Sequence, residues 1–116
     1  MAEIEKMNAN AFEPGPQGQA LGIMNDTMAL RVWNEGKVEK KSEHAHDYEV
    51  LGYVIDGEAI LHSEGKTVHL TRGDSWRVPG GVKHAYEIEE SFRAVEVSSP
   101  PARGASLGAH GHATAE

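Results

Sequence analysis

The chain has 116 residues, 39% hydrophobic and 25% charged, which reads as one soluble globular domain with its own core. Eighteen acidic against eleven basic side chains give a formal charge of -7. With no basic stripe, that balance argues against a nucleic-acid-binding surface. Cysteine is absent, so disulfides and thiolate ligands are excluded, and any metal must be held by nitrogen and oxygen. No apolar run approaches the roughly 20 residues that span a bilayer. The N-terminal stretch carries acidic residues and lacks the apolar core of a secretory signal, so the expected location is the cytoplasm.

Residues 1–20, with Pro14-Gly15-Pro16-Gln17-Gly18 at their centre, read as an N-terminal arm. The first predicted strand is Met28–Trp33. A turn at Asn34-Glu35-Gly36 leads to Lys37–Lys41, a polar strand whose charges suit a solvated edge. Tyr48–Ile55 follows, and Asp56-Gly57 predicts a hairpin turn into Ala59–His62. Glu64-Gly65 turns into Thr67–Leu70, and Thr71–Asp74 turns into Ser75–Val78. Pro79-Gly80-Gly81 precedes His84–Ile88, and Phe92–Val97 is the last strand. Short strands with turns at roughly 8–12-residue spacing predict an all-β, antiparallel sandwich or barrel over residues 21–100. Residues 101–116 are rich in Gly and Ala and read as a flexible tail; His110 and His112 lie in it without fixed geometry.

Chemistry concentrates in two stretches. Along Glu43-His44-Ala45-His46-Asp47-Tyr48-Glu49-Val50, alternation puts His44, His46, Tyr48 and Val50 on one face. Gly73 to His84 then brings a third imidazole just after a Pro-Gly-Gly turn. An antiparallel barrel can bring His84 beside the first pair. Alternation in the last strand puts Phe92, Ala94 and Glu96 on one face. If that face lines the cavity, Glu96 is a carboxylate in partly apolar surroundings, where desolvation raises a pKa towards acid/base work. The bland reading is an exposed strand glutamate.

Both stretches resemble the two sequence motifs of the cupin superfamily of small jelly-roll barrels. Gly73, Pro79, Gly81 and His84 match every fixed position of the second motif up to its histidine, and Ile88 stands where an Asn is usual. His44, His46 and Gly57 match the first, but its carboxylate or amide ligand falls on Val50. The resemblance implies a divalent transition metal at one end of the barrel (Fe, Zn, Ni, Cu or Mn) and a small-molecule ligand. Three arrangements remain open: a triad of His44, His46 and His84; a bulge that turns Glu49 inward as an extra ligand; or a barrel that keeps the histidines as polar lining without metal. Metal binding would weaken below about pH 6, because a protonated imidazole cannot ligate. Tyr48, Val50 and Tyr86 would line the pocket. The end of the last strand also resembles that of pectin-degradation cupins that open unsaturated uronate rings, which carry an acidic residue there.

His62 and His69 fit ordinary surface or hydrogen-bonded histidines. Trp33, Trp76, Tyr53 and Phe92 fit a core or an interface. Leu51, Tyr53 and Ile55 are apolar on the face opposite Val50, so this strand asks for cover on both sides, and a homodimer is expected. The functional expectation is a small metalloenzyme acting on a small polar organic acid, sugar acid or diketone, of dioxygenase, lyase or isomerase type. The competing expectation is a non-catalytic binding or sensor module, with or without metal.

Overall fold

The computed structural model describes residues 3–8 and 20–100, so the tail and most of the arm, with His110 and His112, lie outside the described residues. Seven antiparallel strands build the fold: β1 (Ala20–Met24), β2 (Ala29–Glu35), β3 (Glu49–Ser63), β4 (Lys66–Thr71), β5 (Ser75–Val78), β6 (Ala85–Glu87) and β7 (Phe92–Ser99). The all-β jelly-roll expectation holds. Among the described residues no helix is long and apolar enough to cross a membrane.

Strand β3 organises the molecule because its two halves belong to two different sheets. Its first half pairs with β7 on one side and β5 on the other, and β2 and β1 extend that sheet beyond β7. The second half pairs with β4 and β6. Asp56-Gly57 was expected to be a hairpin turn; it is instead the bend where β3 passes between sheets. The register with β7 shifts between Val54 and Asp56, and Gly57 has φ 81°. A Cβ at Gly57 would lie 2.3 Å from the Ser91 carbonyl oxygen, so only glycine lets the strand press against β7 there. Glu64-Gly65 does form the expected hairpin turn, with φ 50° and 87°.

Two further expectations are corrected. Lys37–Lys41 is not a strand; one backbone bridge, Val38 to Ile88, is all that ties it to the sheet. Val38 packs on the core while its charged neighbours stay in solvent, so the segment has one anchor point rather than a ladder. Conversely, β1 was not foreseen. It joins β2 through a turn in which Asn25 Oδ1 accepts the backbone N–H groups of Thr27 and Met28, at 2.8 and 3.0 Å.

The core lies between the sheets and follows the strict alternation of β7: Phe92, Ala94, Glu96 and Ser98 are all buried. Trp33, Val54, Leu61, Leu70, Trp76 and Ile88 pack around Phe92. Burying a large apolar side chain of this kind contributes roughly 1.5–3 kcal/mol. Leu51, Tyr53 and Ile55 point out of the same sheet and remain exposed.

Candidate functional site

The two motif stretches are stitched together by backbone hydrogen bonds. His44 and His84 exchange N–H to O=C bonds in both directions, each 3.0 Å, and Gly81 donates to the His46 carbonyl at 2.8 Å. His44 and His84 are therefore direct cross-strand neighbours, and His46 follows two residues along. The His46 and His84 rings meet edge to face at 5.4 Å, and His46 stacks on Tyr48 at 4.7 Å with an interplanar angle of 6°. His44 stays exposed.

Two features suit the imidazoles to ligation. His84 Nδ1 donates to the Val82 carbonyl at 2.9 Å, which leaves Nε2 as the ring nitrogen with a free lone pair. Burial first, then the neighbouring His84, Arg31 and His44, push the pKa of His46 down to about 4, so its ring is neutral at physiological pH. The chemistry of this donor set fits a divalent transition metal. The side chains as they stand do not complete a site: among the described residues no three His, Asp or Glu side chains converge to hold an ion. Val50, at the motif's acidic position, is buried and offers no donor. Nor does Glu49 turn inward. Its register against Ser99 is unbroken, and its carboxylate pairs with Arg77 on the outer surface.

The rows of side chains inside the barrel follow from strand register. Ala29, Ser98, Val50 and Val78 form one row; Arg31, Glu96, Gly52 and Trp76 form the next. Gly52 is required in that second row, because a Cβ there would come within 2.3 Å of the Trp76 indole. Lying over Gly52, Trp76 donates its Nε1–H to the Tyr86 hydroxyl at 3.1 Å. Tyr86 is partly buried against the core; burial of its phenol, with the Glu96 charge second, raises its pKa well above the usual range.

Glu96 is 3% exposed and faces the interior, as alternation in β7 required. Trp33 Nε1–H donates to Oε1 at 2.7 Å, and Arg31 Nη1 stands 3.4 Å from Oε2. Removing one member of a buried ion pair strands the other charge, at a cost of about 3–5 kcal/mol. Arg31 and the partnership of Trp33 with Glu96 were not anticipated from sequence. The signal was present: Arg31 lies between Ala29 and Trp33 in a strand whose alternation turns all three inward.

Elsewhere, His62 Nε2 bonds Glu87 Oε1 at 2.8 Å on the outer face of the second sheet. His69 lines an outer recess of about 350 Å3 with Glu58, Ile60 and Glu87. Neither joins the His44–His46–His84 group. A second recess, about 280 Å3, opens between β4 and β5; Leu61, Val68, Val78 and Val82 line it, and His84 stands at its wall.

Comparison with known proteins agrees with this architecture. Residues 31–98 match the family model described as "Cupin domain". An uncharacterised protein of Streptomyces coelicolor is 33% identical over 92 residues, covering 78% of this chain and 86% of that protein. The 3-hydroxyanthranilate 3,4-dioxygenase of Bos taurus is 29% identical over 91 residues, 78% of this chain but only 32% of the bovine enzyme. Among solved structures, an RmlC-like cupin from Shewanella frigidimarina superposes with a TM-score of 0.71 at 22% identity, covering 84% of this chain and 92% of the other. With more than half of its residues matched, and with both motif stretches hydrogen-bonded to each other at one end of an antiparallel jelly roll, this chain belongs to the cupin family.

Proposed function

We propose that this cupin is a small metalloenzyme acting on a small polar organic acid, sugar acid or diketone, with the metal held by His44, His46 and His84. The observation that carries this reading is the edge-to-face contact of a neutral His46 ring with His84, at one end of a barrel whose interior also buries the Glu96 carboxylate. A bound divalent ion would supply Lewis-acid polarisation of a carbonyl or enol oxygen, or oxygen chemistry if it is iron. Glu96 would exchange a proton with the ligand at a carboxylate oxygen, and Trp33 and Arg31 would hold that carboxylate in position. Tyr48 and Val50 would shape the approach, and Tyr86 would close the interior behind it.

The test is metal analysis of protein purified without added metal, followed by an oxygen-consumption screen. Full metal retention by His84→Ala would exclude the triad. A second reading, a small-ligand binding module, is favoured by one observation: both Glu96 oxygens already face donors, as in a structural carboxylate. Metal-replete protein that binds small acids without turning any over would establish it.

A further inference from the structure

One inward-facing position of the second sheet is left without cover. On β4, alternation turns Lys66, Val68 and Leu70 to one side, and their strand partners on that side are Ser63, Leu61 and Ala59. Ala59, Leu61 and Leu70 are buried, as inward residues should be, but Val68 is 49% exposed. The gap that exposes it is the recess of about 280 Å3 between β4 and β5, walled also by Leu61, Val78, Pro79, Val82 and His84. That size lies at the lower end of the roughly 300–1,000 Å3 usual for small-molecule sites, so it suits one ring or a short branched chain.

Most polar groups around the recess are already engaged. The Ser63 hydroxyl donates to the Lys83 carbonyl at 2.6 Å, and His84 Nδ1 donates to the Val82 carbonyl at 2.9 Å. Arg77 is paired with Glu49. A sugar acid placed here would set its hydroxyls against valine, leucine and proline, and hydroxyls buried without partners are costly. Lys66 stands exposed at the open end, one inward position beyond Val68, and among the described residues it enters no ion pair. Glu64 lies at the same lip and tempers that charge without cancelling it. Aliphatic walls, a cation at the mouth and an imidazole of the histidine group at the wall are complementary to an acid with a compact apolar body.

We propose that this recess binds a small aromatic or branched-chain carboxylic acid. Its hydrocarbon body lies against Val68 and Val82, its carboxylate meets Lys66, and the body points towards His84. The proposal rests on the reading above for the choice of a small organic acid, and it narrows that choice away from sugar acids.

Benzoate, benzamide and glucuronate separate the charge from the apolar body. In a carbon–proton NMR spectrum of the full chain, the methyl signals of Val68 and Val82 report on the recess. Benzoate should shift both saturably. Benzamide should shift them too but bind about two- to fivefold more weakly, the loss expected of one solvent-exposed charge pair. Glucuronate has the charge without the apolar body and should leave them in place. Lys66→Gln should lower benzoate to the affinity of benzamide. Val68→Trp fills the recess from an exposed position and should abolish the Val82 response to benzoate. The proposal is overturned by the absence of a benzoate shift, by equal affinity for acid and amide, or by glucuronate binding as well as benzoate. Benzoate binding that survives Val68→Trp, or a charge preference that survives Lys66→Gln, would overturn it as well. Neither metal nor turnover enters this readout. A failed metal assignment therefore leaves the titration standing, and a failed titration leaves the metal assignment to its own assay.

Discussion

Trp33 and Glu96 are 63 residues apart in the chain and 2.7 Å apart in the barrel, indole N–H on carboxylate oxygen. Strands β2 and β7 make that possible, because their antiparallel register sets Arg31 directly across from Glu96 and Trp33 across from Ala94. One carboxylate is thereby held by two neighbours from a single strand, at the row of side chains below the histidine end.

If Glu96 moves a proton in turnover, Glu96→Gln should cut the rate on a processed organic acid by roughly 100-fold or more. The amide keeps the shape and can still accept the Trp33 hydrogen bond, so metal content should be unchanged. Wild-type turnover in the variant would reduce Glu96 to a structural role.

Gly52 gives a test of the packing beneath the site. Its Cα is covered by the Trp76 ring, and an added Cβ would come 2.3–2.6 Å from three indole carbons. Gly52→Ala must push the indole aside and loosen its bond to Tyr86. We expect a loss of about 1–3 kcal/mol in chemical denaturation, with altered tryptophan fluorescence. A second substitution, Trp76→Phe, should recover part of the loss by removing the clashing ring. Unchanged stability in Gly52→Ala would contradict the contact.

Acid stability of the metal-free protein should carry the signature of His46. Its folded pKa is about 4, against 6.5 for an ordinary imidazole, so the unfolded chain takes up a proton that the folded chain refuses. The contribution to stability is complete above pH 6.5 and is lost as the pH falls towards 4. Denaturation midpoints measured across that window should decline on acidification, and His46→Gln should flatten this part of the profile. An identical slope in the variant would assign the decline to other groups.

The outer face of the first sheet bears on assembly. Leu30, Val97 and Leu51 lie side by side across three strands, and Val32, Val95 and Tyr53 form the adjoining row. Leu51 and Tyr53 are 56% and 51% exposed. An apolar surface of this extent is expected to pair with a second copy in a homodimer. Light scattering at micromolar concentration should return twice the chain mass, and Tyr53→Glu should return one. A monomeric wild type would leave this face without that role.

Strand periodicity was legible in the sequence because it is a local property of the backbone. A repeat of two residues assigns Phe92, Ala94 and Glu96 to one face whatever they meet, and the Glu64-Gly65 turn carries its own backbone requirement. The two histidine-bearing stretches could likewise be recognised by their internal spacing. Tertiary structure alone decided what each inward residue faces. Asp56-Gly57 looks like a hairpin locally, yet the Ser91–Phe92 backbone pressed against Gly57 makes it a bend within one long strand. The same holds for Arg31. Alternation could turn it inward, but its pairing with Glu96 depends on the register of strands far apart in sequence. That register is set when whole sheets pack, because a shift of one residue would exchange the buried and exposed faces of every strand at once.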